Sequence, residues 1–76
     1  MDAKGAVKKM LFNSRLSQAK LAVLLKKSQG TVSTYVERDV RVGTLAKIAA
    51  VTDHEIILRD KRTSATWVID GVGDDE

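Results

Sequence analysis

A mainly α-helical domain of about four short helices, closed by a C-terminal β-hairpin, is the fold class this 76-residue sequence predicts. Three observations carry it. Apolar residues recur at i, i+3, i+4 in Val7/Met10/Leu11, Leu21/Leu24/Leu25 and Val32/Tyr35/Val36, the spacing of one face of a helix. Ser17 and Ser28 stand where the second and third of these stretches need an N-cap. After about Asp53 the pattern changes to β-branched and aromatic runs, the signature of strands.

Each element can be justified in turn. The first helix is short and amphipathic, with Lys8 and Lys9 between its apolar residues and Gly5 weakening its start; Asn13-Ser14-Arg15 ends it. The second opens after Ser17 and carries Ala22 beside its leucine stripe. Lys26-Lys27 interrupts, and the third runs from Ser28 to near Arg38 or Asp39. Gly43-Thr44 opens a fourth, with Leu45, Ile48 and Ala49 facing inward. None of these would be stable alone, so they must pack on one another.

Residues 55–60 and 65–70 then read as two strands, joined by the polar turn Lys61-Arg62-Thr63-Ser64. Alternation sets Ile56 and Leu58 against Ile57, and Trp67 and Ile69 against Val68. A hairpin with apolar residues on both faces is not satisfied by one layer of helices. Pairing with the same hairpin of a second subunit solves this and covers an exposed edge. The competing solution folds the strands entirely onto their own helices. The favoured expectation is a homodimer with Ile56, Ile57, Leu58, Trp67, Val68 and Ile69 at its interface.

Composition narrows the function. The chain has no cysteine and no proline, so neither disulfides nor thiolate metal sites staple it. It shows no apolar run near the ~20 residues that span a bilayer. The start, Met1-Asp2-Ala3-Lys4-Gly5, does not read as a secretory signal, so the expectation is a soluble, cytoplasmic protein. Charge is uneven: residues 1–50 carry ten Lys and Arg against three acids, +7, and residues 51–76 three against seven, −4. A basic front half favours a polyanionic partner by attraction and counterion release. Residues 71–76 read as a frayed acidic tail. The expected organisation is 1–53 for binding, 54–70 for dimerisation, then that tail.

Enzymatic readings fail on residues. His54 is the only histidine, and its nearest acids in sequence are Asp53 and Glu55. The chain has no Gly-x-Ser-x-Gly elbow, phosphate loop or His/Cys ligand set. No catalytic residue, metal or cofactor is expected, and His54 is read as a capping or interface residue.

The second and third helices are joined by about three residues, which is the helix-turn-helix connection. Counting from Gln18, the positions that must be apolar or small to let two helices cross steeply hold Leu21, Ala22, Leu25, Val32 and Tyr35. The stretch Leu16-Ser17-Gln18-Ala19-Lys20-Leu21-Ala22, followed by Ser28-Gln29-Gly30-Thr31-Val32-Ser33, resembles the phage-repressor (Cro/cI-like, XRE) family over roughly residues 7–52. That resemblance implies a lambda-repressor-like bundle and a sequence-specific DNA-binding regulator of transcription. The segment after Thr44-Leu45-Ala46-Lys47-Ile48-Ala49 looks like small members, antitoxins among them, whose C-terminal strand builds the dimer. Two departures stand out. Lys26 replaces the usual turn glycine, at a cost of ~1 kcal/mol if the turn keeps its left-handed shape. Val36 holds the place of an acid, with Glu37 one later.

In such a motif the third helix enters the major groove of double-stranded DNA with its N-terminal residues near base edges. Gln29, Gly30, Ser33 and Thr34 are then the expected base-contacting residues, with Gln29 foremost because Gln pairs bidentately with adenine. Gln18, Lys20, Lys26, Lys27, Ser28, Thr31, Arg38 and Arg41 are the expected phosphate contacts, the first two at a helix N-terminus that attracts anions. Taken singly, each of these cations is more often solvated surface; their common location is what points to a polyanion. The reading is a repressor-like protein on a palindromic operator. The rival is an antitoxin-like interaction module whose hairpin and acidic tail hold a protein partner such as a toxin.

Overall fold

The computed structural model of the chain describes residues 1–70; the expected acidic tail lies outside the described residues. Among those described, the order is α1 (Ala3–Ser14), α2 (Gln18–Leu25), α3 (Gln29–Tyr35), α4 (Val42–Val51), β1 (Ile56–Arg59) and β2 (Thr66–Ile69). The chain is thus mainly helical with a small antiparallel hairpin. No described helix is long and apolar enough to cross a membrane.

Side-chain caps start three of the four helices. Asp2 accepts from Gly5 N, Ser17 from Lys20 N and Ser28 from Thr31 N, each three residues on, so each satisfies one first-turn donor. At Gly5 a Cβ would stand 2.9 Å from the Asp2 carboxylate oxygen that makes the cap, so that side chain would have to shift for any other residue. Lys4 Nζ lies 2.6 Å from the other oxygen. That ammonium first, and the Gly5 N–H second, hold the Asp2 carboxyl below the usual carboxylate range. α4 begins at Val42, a residue before the expected Gly43, with Arg41 at its N-cap and no side-chain cap.

The helix ends follow a pattern that the sequence does not announce. Arg15, Lys26 and Asp53 all take left-handed backbone, at φ 56°, 59° and 60°. After each, the next N–H reaches back five residues: Leu16 to Leu11, Lys27 to Ala22, His54 to Ala49. This is the six-to-one bond of a Schellman end, usually built on glycine. α3 ends differently and early. Its last residue is Tyr35, with Val36 near φ −96° as the cap, short of the Arg38 or Asp39 expected.

Val7, Met10 and Leu11 of α1, Leu21 and Ala22 of α2, Val32 of α3, and Ile48 and Ala49 of α4 form one buried cluster. Burying a side chain such as Val7, Leu21, Val32 or Ile48 contributes roughly 1.5–3 kcal/mol each. Leu16, Leu25, Tyr35, Val36, Val40, Leu45 and Ile56 pack on it half-buried. Leu24, expected in the buried stripe, is exposed: its neighbours Leu21 and Leu25 take the inward side, and α2 is too short to bury more.

The hairpin pairs Ile56 with Ile69, Ile57 with Val68, Leu58 with Trp67 and Arg59 with Thr66, within the expected strands. Its turn is closed by Asp60, whose N–H donates to Ala65 O at 2.9 Å and whose carboxylate accepts from Arg62 N at 2.8 Å. The Arg62 N–H first, then the Arg62 guanidinium, hold the Asp60 carboxyl below its usual range. Only Ile56 and Ile69, at the base, are half-buried; Ile57, Leu58, Trp67 and Val68 are exposed on both faces.

His54 pins the joint between α4 and the hairpin. Its Nδ1–H donates to Thr52 O at 2.8 Å, and its Nε2 accepts from Asn13 Nδ2 at 3.4 Å. Ser14 Oγ also donates to Thr52 O, at 3.1 Å. The expected capping role therefore matches where His54 lies, and α1 is tied to the start of the arm.

Candidate nucleic-acid interface

α2 and α3 are joined by Lys26-Lys27-Ser28. Lys26 holds φ 59° and ψ 43° as the C-cap of α2, so the turn keeps the left-handed geometry without glycine. The strain falls on a lysine whose ammonium is left in solvent. Ser28 follows as the N-cap of α3, and its Oγ also lies 2.9 Å from Thr31 Oγ1. Two of the expected phosphate-contacting hydroxyls are thus already partnered with each other, with lone pairs and a proton still to offer.

Along α3, Val32 is buried and Tyr35 and Val36 are half-buried against the helices beneath. Gly30 and Thr34, spaced i, i+4, form the outward ridge and are exposed, as is Glu37 in the turn that follows the helix. Gln29 is exposed beside that ridge and Ser33 is half-buried on its flank. The four expected base-reading residues therefore share one side of α3. Thr34 Oγ1 donates to Thr31 O at 2.6 Å, which commits its proton. A Cβ at Gly30 would meet only Ser28 Oγ, at 3.9 Å, so the fold itself does not require glycine there.

Glu37 was not among the expected site residues. Glu37 N and Arg38 N both donate to Thr34 O, at 3.2 and 2.9 Å, so a hydrogen-bonded turn follows α3 and carries Glu37, exposed, just past its end. Among the described residues the Glu37 carboxylate makes no ion pair. The one sequence signal was the displaced acid at this position.

The cations fall into two groups. Lys20 lies exposed in the first turn of α2 with half-buried Gln18 before it. Ser17 caps the Lys20 N–H, leaving the first N–H groups of α2 at an open, partially positive end. Lys27, Arg38 and Arg41 instead line a cleft of about 660 Å³ with Lys47 of α4, which the sequence reading did not include. Among the described residues the ion pairs are Lys4–Asp2 and Arg62–Asp60, both remote in sequence from these groups. The turn before α3 and the segment after it therefore form a basic track, Lys26, Lys27, Arg38 and Arg41, interrupted by the acids Glu37 and Asp39.

The expected interface residues of the hairpin lie apart from this track in sequence and element. Ile57 and Val68 face one way; Leu58 and Trp67 continue, outward, the face whose base is Ile56 and Ile69.

No family model matches the chain, and no curated protein or solved structure matches it.

Proposed function

We propose that the chain is a sequence-specific, repressor-like DNA-binding regulator of the Cro/cI-like helix-turn-helix type, docking α3 in the major groove of a palindromic operator. The observation that carries this reading is one side of α3, where Gln29, Gly30 and Thr34 are exposed with Ser33 half-buried beside them, flanked by Lys26, Lys27, Arg38 and Arg41. Lys20, Lys26, Lys27, Arg38 and Arg41 would fix the register on phosphates, and Gln29 would read a base edge. The exposed hairpin would join two copies, matching protein symmetry to a two-fold operator.

The exposed Ile57, Leu58, Trp67 and Val68 also favour a second reading, in which the hairpin holds a different protein, such as a toxin, and DNA binding is secondary. Selection from a randomised duplex library at near-physiological salt separates the two. Enrichment of a two-fold site, with half-sites about one helical turn apart, and its loss in Gln29→Ala with an unchanged circular dichroism spectrum, is the outcome expected of the regulator. Salt-sensitive retention without an enriched motif would overturn it in favour of the partner-binding module.

A further inference from the structure

We propose that the cleft between α3 and α4 binds a small phosphorylated ligand that carries a flat ring, of the mononucleotide class. Its walls bring Lys27 of the α2–α3 turn, Arg38 and Arg41 of the α3–α4 segment and Lys47 of α4 to one concavity. Four cations face one carboxylate, Asp39, in this cleft; the excess like charge repels itself, and a bound anion turns that repulsion into attraction. The carboxylate on the cleft wall, Asp39, accepts from the backbone N–H of Lys4 at 3.3 Å, and no ion pair joins it to any of the four cations.

The floor is of a different kind. Leu25, Tyr35 and Val40 line it, all half-buried, and a bare anion would leave this apolar surface unused. A planar ring covers it, with Tyr35 as the aromatic partner. Thr44 supplies a hydroxyl on the α4 side. The volume, about 660 Å³, falls within the range of small-molecule sites. Lys47 and the apolar floor have no part in the DNA reading, and binding of the small ligand does not depend on that reading.

The test is an amide chemical-shift titration of the full chain with adenosine 5′-diphosphate, adenosine, inorganic pyrophosphate and a duplex oligonucleotide in separate arms. Saturable shifts centred on Tyr35, Val40, Thr44 and Lys47 are expected with the diphosphate, and binding at least about tenfold weaker with either half alone, since charge and floor each contribute. Lys47→Gln should weaken the diphosphate about fivefold, as loss of one charge-assisted contact does. Arg59→Gln, the same charge change on the hairpin, should leave it unaltered. Absence of saturation, or equal weakening by both substitutions, overturns the proposal. Cleft shifts with duplex but none with the diphosphate also overturn it, and assign the cations to the DNA backbone. Saturation by the diphosphate with no response to any duplex leaves the cleft standing and removes the DNA reading.

Discussion

Leu58 and Trp67 are cross-strand partners in the hairpin, yet 56% and 54% of their surfaces stay open to solvent. They lie on the same face as Ile56 and Ile69, which are half-buried at the base. The apolar stripe of the core therefore runs outward along the arm and ends in water. A two-stranded hairpin is marginal on its own, and this one leans on the helices mainly through Ile56.

On the dimer reading, Trp67→Ala should loosen subunit association before it melts the helices. Light scattering across a dilution series should show monomer at concentrations where the parent chain is dimeric, while the helical circular dichroism signal is retained. A parent chain that is monomeric throughout the series would remove the dimer from the proposal.

The paired change Lys26→Gln and Lys27→Gln should weaken binding to every duplex and flatten the dependence of log affinity on log salt by about two if both ammonium groups meet phosphate. Lys26 stays free to take its left-handed backbone as a glutamine, so the turn should persist. An unchanged slope, measured on a specific and a random duplex, would place the turn away from the DNA backbone.

Glu37 offers the most discriminating substitution beside α3. An exposed carboxylate just past the end of α3 repels phosphates, and its favourable use in a major groove is to accept from the N4 amino group of cytosine. Glu37→Gln should relax the preference for one cytosine in the half-site by roughly 1–3 kcal/mol while non-specific affinity rises. Repeating the library selection with the variant checks this. A rise in affinity with every base preference retained would show that Glu37 does not read the operator.

The hairpin turn should respond to acid in a fixed direction. The Asp60 carboxyl is held below its usual range by Arg62, so its contribution is present above the ordinary carboxylate pKa and is lost as pH falls through the lowered folded value. Between pH 8 and 5 the Arg62 amide resonance should therefore stay put, and move only in strong acid. Asp60→Asn should abolish that acid step; a step at neutral pH would contradict the assignment.

The helix starts were legible because capping is local: Ser17 and Ser28 bond a donor three residues away, within one turn of sequence. The helix ends were less so. Left-handed ends are signalled by glycine, and here Arg15, Lys26 and Asp53 perform that role, stabilised by five-residue back-bonds that no residue type advertises. The short run of α3 to Tyr35 and the exposure of Leu24 likewise depend on what packs against them.

The candidate site divides in the same way. That Gln29, Gly30, Ser33 and Thr34 share a side follows from helical periodicity. That Thr34 gives its proton to Thr31 O, and that Glu37 N is held by Thr34 O in the turn after the helix, follows from hydrogen bonds around the end of α3. Lys47 and Arg38 line one cleft through the packing of the helices, and no spacing in the sequence marks that.

The joint after α4 has a mechanical meaning. His54 is clamped through its backbone to Ala49, through Nδ1 to Thr52 and through Nε2 to Asn13, and only Glu55 separates it from β1. Strand faces alternate with every residue, so one residue inserted here would turn Ile57 toward the core and Ile56 away. An arm rooted so tightly is a ruler rather than a tether. If two copies meet through their arms, the distance between their third helices is set by the protein, and the DNA must supply half-sites that fit it.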